Sequence, residues 1–455
     1  MSNHDDRFSV VKPKKPEFND DIVTLPVAGQ GVIIFSPESK SSKIEFSAPI
    51  RKEYSNTYQY FCFGINESDC NFFASKKTYP ELEDLLFSTN KGYDSYPNGP
   101  FWLSIDFENR LLKGGYGEPR AELVLFSFNF SKGELKEGNV EPNLHPTEED
   151  DPAISEYRWI KEMSKVQLTN TSKLFAVFKD PITVNAAMAV KDMSQITMWD
   201  VSNNMATVPA NLPSVCQKLF ENVGGVNFNL QSVNKDYNLD ENFDFAKAIQ
   251  YSIDTPGKIC YNIIEEKAKR EVETGFGDPN MVYLRITMGG NQGESPGIPY
   301  VMEIWPSNKY SPIHNHGGSE AVIKVLHGEI DVDLFATLKK ASPSTNNLMQ
   351  AMKEAYKPEL FKTCKFKLDE VTYITPWLNQ IHQLKNNNPV DACITIQCYG
   401  YPENSDVHYE YFDWLDTNKH ETGEFFPDSD FSFNEFVRAI YKEYKEVHAS
   451  NLIMS

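Results

Sequence analysis

From about Gly31 the chain sets short apolar runs between turn residues: Val32-Ile33-Ile34-Phe35, Ile44-Glu45-Phe46 and Tyr58-Gln59-Tyr60-Phe61-Cys62-Phe63. Phe101-Trp102-Leu103-Ser104-Ile105-Asp106-Phe107 and Leu123-Val124-Leu125-Phe126-Ser127-Phe128-Asn129-Phe130 follow. Runs this short, rich in aromatic and β-branched residues, form strands, because such side chains pack well on a pleated, half-buried surface. Several in succession predict a β-sandwich-like domain. The acidic, proline-bearing stretch from Glu134 to Asp151 reads as a long surface loop. Leu174-Phe175-Ala176-Val177-Phe178 and Ile196-Thr197-Met198-Trp199 add strands beyond it, so the domain boundary is expected near Val201-Ser202-Asn203-Asn204.

The period changes from Leu212. Leu212, Val215, Cys216, Leu219 and Phe220 fall at helical spacing, as do Phe245, Ile249 and Ile253, and Ile263-Ile264 leads into a charged helical segment. Strand-like runs return from Met281 to about Trp414. Phe433, Phe436, Val437, Ile440, Tyr441 and Tyr444 then make one face of a helix that opens after Asp428-Ser429-Asp430. The expected division is a flexible tail over residues 1–20, a β-rich accessory domain over 21–205 and a second domain over 206–455. The fold class is mainly β.

At 455 residues two domains are the natural expectation. The formal net charge of -20 speaks against a nucleic-acid partner, since phosphate neutralisation needs an excess of Lys and Arg. Met1 to Lys15 carries no apolar core of a signal peptide, and no apolar stretch reaches membrane-spanning length, so no membrane partner is expected. The seven cysteines are scattered without C-x-x-C spacing, which fits free thiols in a reducing, cytoplasmic setting. The oligomeric state is left open.

The chemistry concentrates in His314-Asn315-His316 and in His382-Gln383-Leu384-Lys385-Asn386. Side chains at i and i+2 of a strand share a face, so His314 and His316 can converge on one ion. A third imidazole from a later strand completes a three-histidine face with open coordination positions. Such a face suits iron, copper, nickel or zinc.

Around these histidines the chain resembles the cysteine dioxygenase family of the cupin superfamily. Ser311-Pro312-Ile313-His314-Asn315-His316 is similar to that family's S-x-I-H-D-H strand, and Leu326-His327-Gly328-Glu329-Ile330 with Leu334-Phe335 to the hairpin that follows it. Ile381-His382-Gln383-Leu384-Lys385-Asn386 resembles its second histidine motif. Thr395, Gln397 and Tyr399 fall where the family has S-x-H-x-Y, and Tyr283-Leu284-Arg285 where it has Y-T-R. The resemblance covers roughly residues 209–420. It implies a cupin β-barrel with flanking helices and a mononuclear Fe(2+) held by His314, His316 and His382. It implies oxidation of L-cysteine by O2 to cysteine sulfinic acid. Arg285, with Tyr283 on the same strand face, is expected to bind the substrate carboxylate. Tyr399 is expected to act at the reacting centre, with Gln397 and Thr395 on its strand face behind it. Gln397 departs from the family's histidine, which alters the hydrogen bond behind Tyr399. Tyr399 as a plain core residue and Arg285 as a surface arginine are the ordinary alternatives.

Two further alternatives stay open. Glu320 stands where many cupins place a fourth, carboxylate ligand; yet counting back from Gly328 puts Ala321 in that slot, which would turn Glu320 to the other face. In animal members of the family the slot holds a cysteine crosslinked to the active-site tyrosine, and Ala321 has no sulfur. The substrate, in turn, is either cysteine or another small thiol such as 3-mercaptopropionate, or the barrel binds metal or ligand without catalysis. In the N-terminal half, Phe101-Trp102-Leu103-Ser104-Ile105 with Leu111-Leu112-Lys113-Gly114-Gly115 faintly resembles the farnesoic acid O-methyltransferase-like β-sandwich module, from which only an accessory or ligand-binding role is taken.

Overall fold

A computed structural model describes residues 22–37, 42–48, 59–66, 69–75, 84–89, 100–132, 134–140, 157–168, 172–182, 186–224, 228–273, 278–289, 300–338, 358–400, 412–416, 421–425 and 428–453. The expected tail over 1–20 lies outside them. The chain divides into two compact units, Met1–Ala186 with Lys339–Glu359, and Ala187–Leu338 with Leu360–Ser455.

The N-terminal unit is the expected sandwich of two six-stranded antiparallel sheets. One sheet runs Ile22–Thr24, Lys165–Leu168, Ser42–Ala48, Gln59–Ile65, Cys70–Ser75, Asp84–Thr89. The other runs Glu134–Glu137, Val124–Asn129, Leu111–Tyr116, Phe101–Asp106, Gln30–Pro37, Ser172–Phe178. Aromatic rings join the two: Phe35 meets Phe63 at 6.1 Å between centroids, Phe61 meets Phe128 at 5.5 Å and Phe72 meets Phe126 at 4.6 Å. Gly115 is required by this packing, since a Cβ there would lie 2.1 Å from a ring carbon of Trp102. Two expectations are corrected. Glu134–Glu137, read as the start of a loop, is an edge strand paired to Phe126–Asn129. Met198–Ser202 is a helix and not a strand: Thr197 and Asp200 form a reciprocal capping box that claims the backbone N–H groups of the first turn.

The C-terminal unit holds an eight-stranded and a six-stranded sheet. The larger runs Ala206–Thr207, Ala189–Val190, Val371–Ile374, Glu320–His327, Cys393–Gly400, Tyr300–Trp305, Leu284–Met288, Phe431–Ser432. The smaller runs Leu360–Lys367, Glu329–Phe335, His382–Lys385, Ile313–His314, Phe412–Asp416, Glu421–Phe425. Strand alternation gives the larger sheet two apolar faces. Leu284, Ile286, Met302, Ile304, Val322, Ile394, Ile396 and Cys398 pack against the helices Ser214–Val223, Phe245–Asp254 and Phe433–Ile453. The opposite face, including Trp305 and Val325, meets Ile330, Val332, Leu334 and Leu384 of the smaller sheet. Two sheets packed over one interior make the expected β-barrel. Among the described residues no helix is long and apolar enough to cross a membrane.

The unit boundary falls earlier than 206. Ala189–Val190 pairs with Val371 and Thr372 of the barrel, Thr372 Oγ1 donates to Met188 O (2.8 Å) and Tyr373 Oη donates to Ala187 O (3.0 Å). Met188 itself is buried beside Tyr283 and Trp305. A fragment starting at Ala187 should therefore be more stable than one starting at Ala206 by about 2–5 kcal/mol, the usual cost of emptying a buried methionine site. Urea unfolding of the two fragments measures this, and equal midpoints at equal slope would refute it.

Candidate metal centre

His314 and His382 are brought together by strand pairing. Ile313–His314 lies antiparallel to His382–Lys385 with His314 directly opposite His382. His316 stands two residues beyond His314, where the chain turns through Gly317 (φ 59°) and Gly318 (φ 78°), a left-handed pair that glycine adopts without strain. All three rings are buried, and their ligating nitrogens lie within 4.8 Å of one another. His316 Nε2 and His382 Nε2 are 3.2 Å apart. Two nitrogens at about 2.1 Å from one ion sit roughly 3.0 Å apart in an octahedron and 3.4 Å in a tetrahedron, so this spacing is that of adjacent ligands.

The tautomers agree with that reading. His314 Nδ1 donates to Pro312 O and His382 Nδ1 to Asn379 O, each at 2.9 Å; a carbonyl only accepts, so both Nε2 atoms carry lone pairs. Burial pushes His314 down to about 3, with His382 beside it adding to the shift, and burial pushes His382 down to about 4. His316 is driven well below the usual histidine range, first by burial and then by its two ring neighbours. The three imidazoles are neutral donors at pH 7, which is the form a metal takes.

A polar chain runs from the triad to the far wall. The Tyr399 ring stacks on His316 at 5.6 Å, and Tyr399 Oη donates to Gln397 Oε1. Gln397 Nε2 donates in turn to Glu303 Oε2, and Glu303 Oε1 faces Arg285 Nη1 at 3.6 Å. Arg285 and Glu303 are cross-strand partners, as are Glu303 and Thr395. The Arg285 strand is held from outside, since Asp430 Oδ2 accepts from Arg285 N (2.8 Å) and from Lys267 Nζ (2.6 Å). Tyr283 and Thr395 are linked through Trp305, two residues along the strand from Glu303. Tyr283 stacks on Trp305 at 4.4 Å, and Trp305 Nε1 donates to Thr395 Oγ1 (3.1 Å).

Glu320 turns away from the triad. Its Oε2 accepts from Cys216 N (3.0 Å) in the first turn of the helix Ser214–Val223, whereas Ala321 pairs across to Tyr399 inside the barrel. Among the described residues no carboxylate joins the three histidines. Glu303 was not singled out in the sequence, although one acid in the otherwise apolar run Tyr300-Val301-Met302-Glu303-Ile304-Trp305 was a signal. It shares a strand face with Trp305.

Among the described residues, the neighbours of Tyr399 leave no sulfur for a crosslink. Ala321 has none, and Cys398 sits on the helix side of the sheet with its Sγ 3.6 Å from Leu219 O. Mass spectrometry should find the Tyr399 peptide unmodified, and a two-hydrogen loss on a cysteine-linked Tyr399 peptide would contradict this.

No protein-family model matches the chain. Among solved structures it is similar to an oxalate oxidase in complex with the substrate analogue glycolate, at 14% identity over 28% of this chain and 54% of that one, with a TM-score of 0.20. It is similar also to the cupin domain of Schizosaccharomyces pombe Cnp3, at 13% identity over 26% of this chain and 65% of that one, TM-score 0.18. A third is the Cupin_2 domain of an XRE family transcriptional regulator from Enterobacter cloacae, at 11% identity over 27% of this chain and 98% of that one, TM-score 0.18. The chain spans about half the length of the oxalate oxidase it matches. Likenesses this distant carry no argument about activity. The barrel rests on its own sheet order and the triad on its own geometry.

Proposed function

We propose that the C-terminal unit is a non-heme iron thiol dioxygenase that adds both atoms of O2 to the sulfur of L-cysteine, giving cysteine sulfinic acid. The observation that carries this reading is the meeting of three neutral imidazoles with Tyr399, Gln397, Glu303 and Arg285 along one buried interior. His314, His316 and His382 would hold the ion. Divalent iron bound there would offer open positions at which a thiolate and O2 can meet, and its charge favours the thiolate over the thiol. Arg285 supplies a planar guanidinium for the substrate carboxylate. Tyr399, oriented by Gln397, presents a hydroxyl beside His316. The buried walls exclude water from the reacting sulfur.

A second reading, another small thiol as substrate, is favoured by one observation: Glu303 already compensates the charge of Arg285. In both readings the N-terminal sandwich serves as an accessory or ligand-binding module. Anaerobic iron loading followed by O2 uptake and sulfinate detection with cysteine, 3-mercaptopropionate and cysteamine decides between them. One O2 consumed per sulfinate formed from cysteine supports the first reading. An iron-loaded protein inert toward all three thiols would leave a barrel that binds metal without this catalysis.

A further inference from the structure

Glu303 is the one acid in the strand Tyr300–Trp305, and it is buried, with 4% of its surface exposed; Arg285 opposite it has 3%. Its oxygens are divided between two partners. Oε2 accepts from Gln397, and Oε1 stands 3.6 Å from Arg285 Nη1. That distance is an ion pair, longer than the 2.7–2.9 Å of a formed charge-assisted hydrogen bond. The other charged groups acting on Glu303 are Arg285 and Lys267, and Lys267 is bonded to Asp430. Beyond Gln397 lies the Tyr399 hydroxyl.

A ligand carboxylate docked on Arg285 would set a second anion beside Glu303 in a water-poor interior. Two carboxylates in one buried site do not both stay ionised, because each raises the other's affinity for a proton. We infer that Glu303 is a specificity-determining residue that couples recognition of a carboxylate-bearing thiol to the uptake of one proton. The proton comes from the solvent and goes to Oε1, the oxygen turned toward Arg285. A thiol without a carboxylate binds with Glu303 still ionised. This rests on the reading of Arg285 as the carboxylate partner of a thiol substrate. Burial supports the coupling, since it pushes the Glu303 carboxyl up to about 7, where protonation is readily reached.

The test uses the full-length, iron-loaded protein under anaerobic conditions. Isothermal titration calorimetry in buffers of different ionisation enthalpy counts protons exchanged on binding cysteine and cysteamine. Protons released by the thiol are common to both ligands, so their difference isolates the carboxylate. At pH 8 cysteine should take up about one proton more than cysteamine, and at pH 6, where Glu303 is already protonated, the difference should shrink toward zero. Glu303→Gln should abolish the difference and tighten cysteine at pH 8 about tenfold, the factor for protonating a group one unit above its pKa. Equal proton counts for the two thiols in the wild-type protein at pH 8 would overturn the inference without touching the thiol-binding reading, and they need no variant to fold. An extra proton that persists in Glu303→Gln would assign the coupling elsewhere. If the iron-loaded protein binds neither thiol, the underlying reading falls and this one with it.

Discussion

Replacing His382 with alanine should lower iron affinity by more than about 100-fold, because altering even an outer partner of a metal-ligating histidine costs 10–100-fold. The ring supplies one of three ligating nitrogens, and its neighbours offer no substitute. Asn379 O, which holds the His382 tautomer, would lose its donor, but it lies in a turn and the strand His382–Lys385 keeps its pairing on both sides. The variant should therefore fold. Metal analysis after dialysis, with circular dichroism as the folding control, gives the answer. A folded His382→Ala protein with full iron would end the triad assignment. Glu320→Gln is the matched comparison and should keep its iron, since that carboxylate is engaged with Cys216 N.

Metal binding should be nearly independent of pH between 6 and 7.5, and it should release almost no protons. Three ordinary imidazoles with pKa 6.5 would shed about two protons at pH 6 and lose affinity ~50-fold relative to pH 7.5. Here burial holds His314 down to about 3 and His382 down to about 4, with His316 lower than the usual range as well, so the lone pairs are available across that window. Zinc titrations at the two pH values, read by a competing chelator, measure the ratio. A loss near 50-fold would show rings that titrate normally and are open to water. The same shifts set the stability of the metal-free protein. Below pH 6.5 the unfolded chain binds protons at these histidines that the folded chain refuses, so stability falls as pH drops toward 4 and 3. Glu303 acts in the opposite sense: its carboxyl is raised from 4.5 to about 7, so its contribution is complete at low pH and is lost as pH rises through that range.

How far these features were legible in the sequence depended on the range of the interactions that decide them. The i, i+2 spacing of His314 and His316 is local, and strand geometry alone places both on one face. The register that turns Ala321 inward and Glu320 outward followed from counting back from Gly328, whose turn (φ 74°) pins the hairpin. Helical spacing located Phe245–Asp254, because a 3.6-residue period over several turns is hard to imitate. Local reading failed where a distant partner or a side-chain bond decides. Ala189–Val190 is a strand because Thr372 and Val371 lie on one side of it and Ala206–Thr207 on the other, and two residues carry no period. Ile196-Thr197-Met198-Trp199 has strand composition, yet the Thr197–Asp200 capping box starts a helix there. Glu303 was hidden for a different reason: its role comes from Arg285 and Gln397, which the sequence places on other strands.

The turning away of Glu320 reaches beyond geometry, to competition among metals. A donor set of three neutral imidazoles with no carboxylate holds zinc more tightly than ferrous iron, because affinity rises along the divalent series from iron toward copper and zinc stays above iron. Nothing in the three ligands themselves reverses that order. Which ion such a triad would take up then depends on supply as well as affinity, on the relative free concentrations of iron and zinc where the chain folds, and the metal found in a preparation would record its growth medium as much as its ligands.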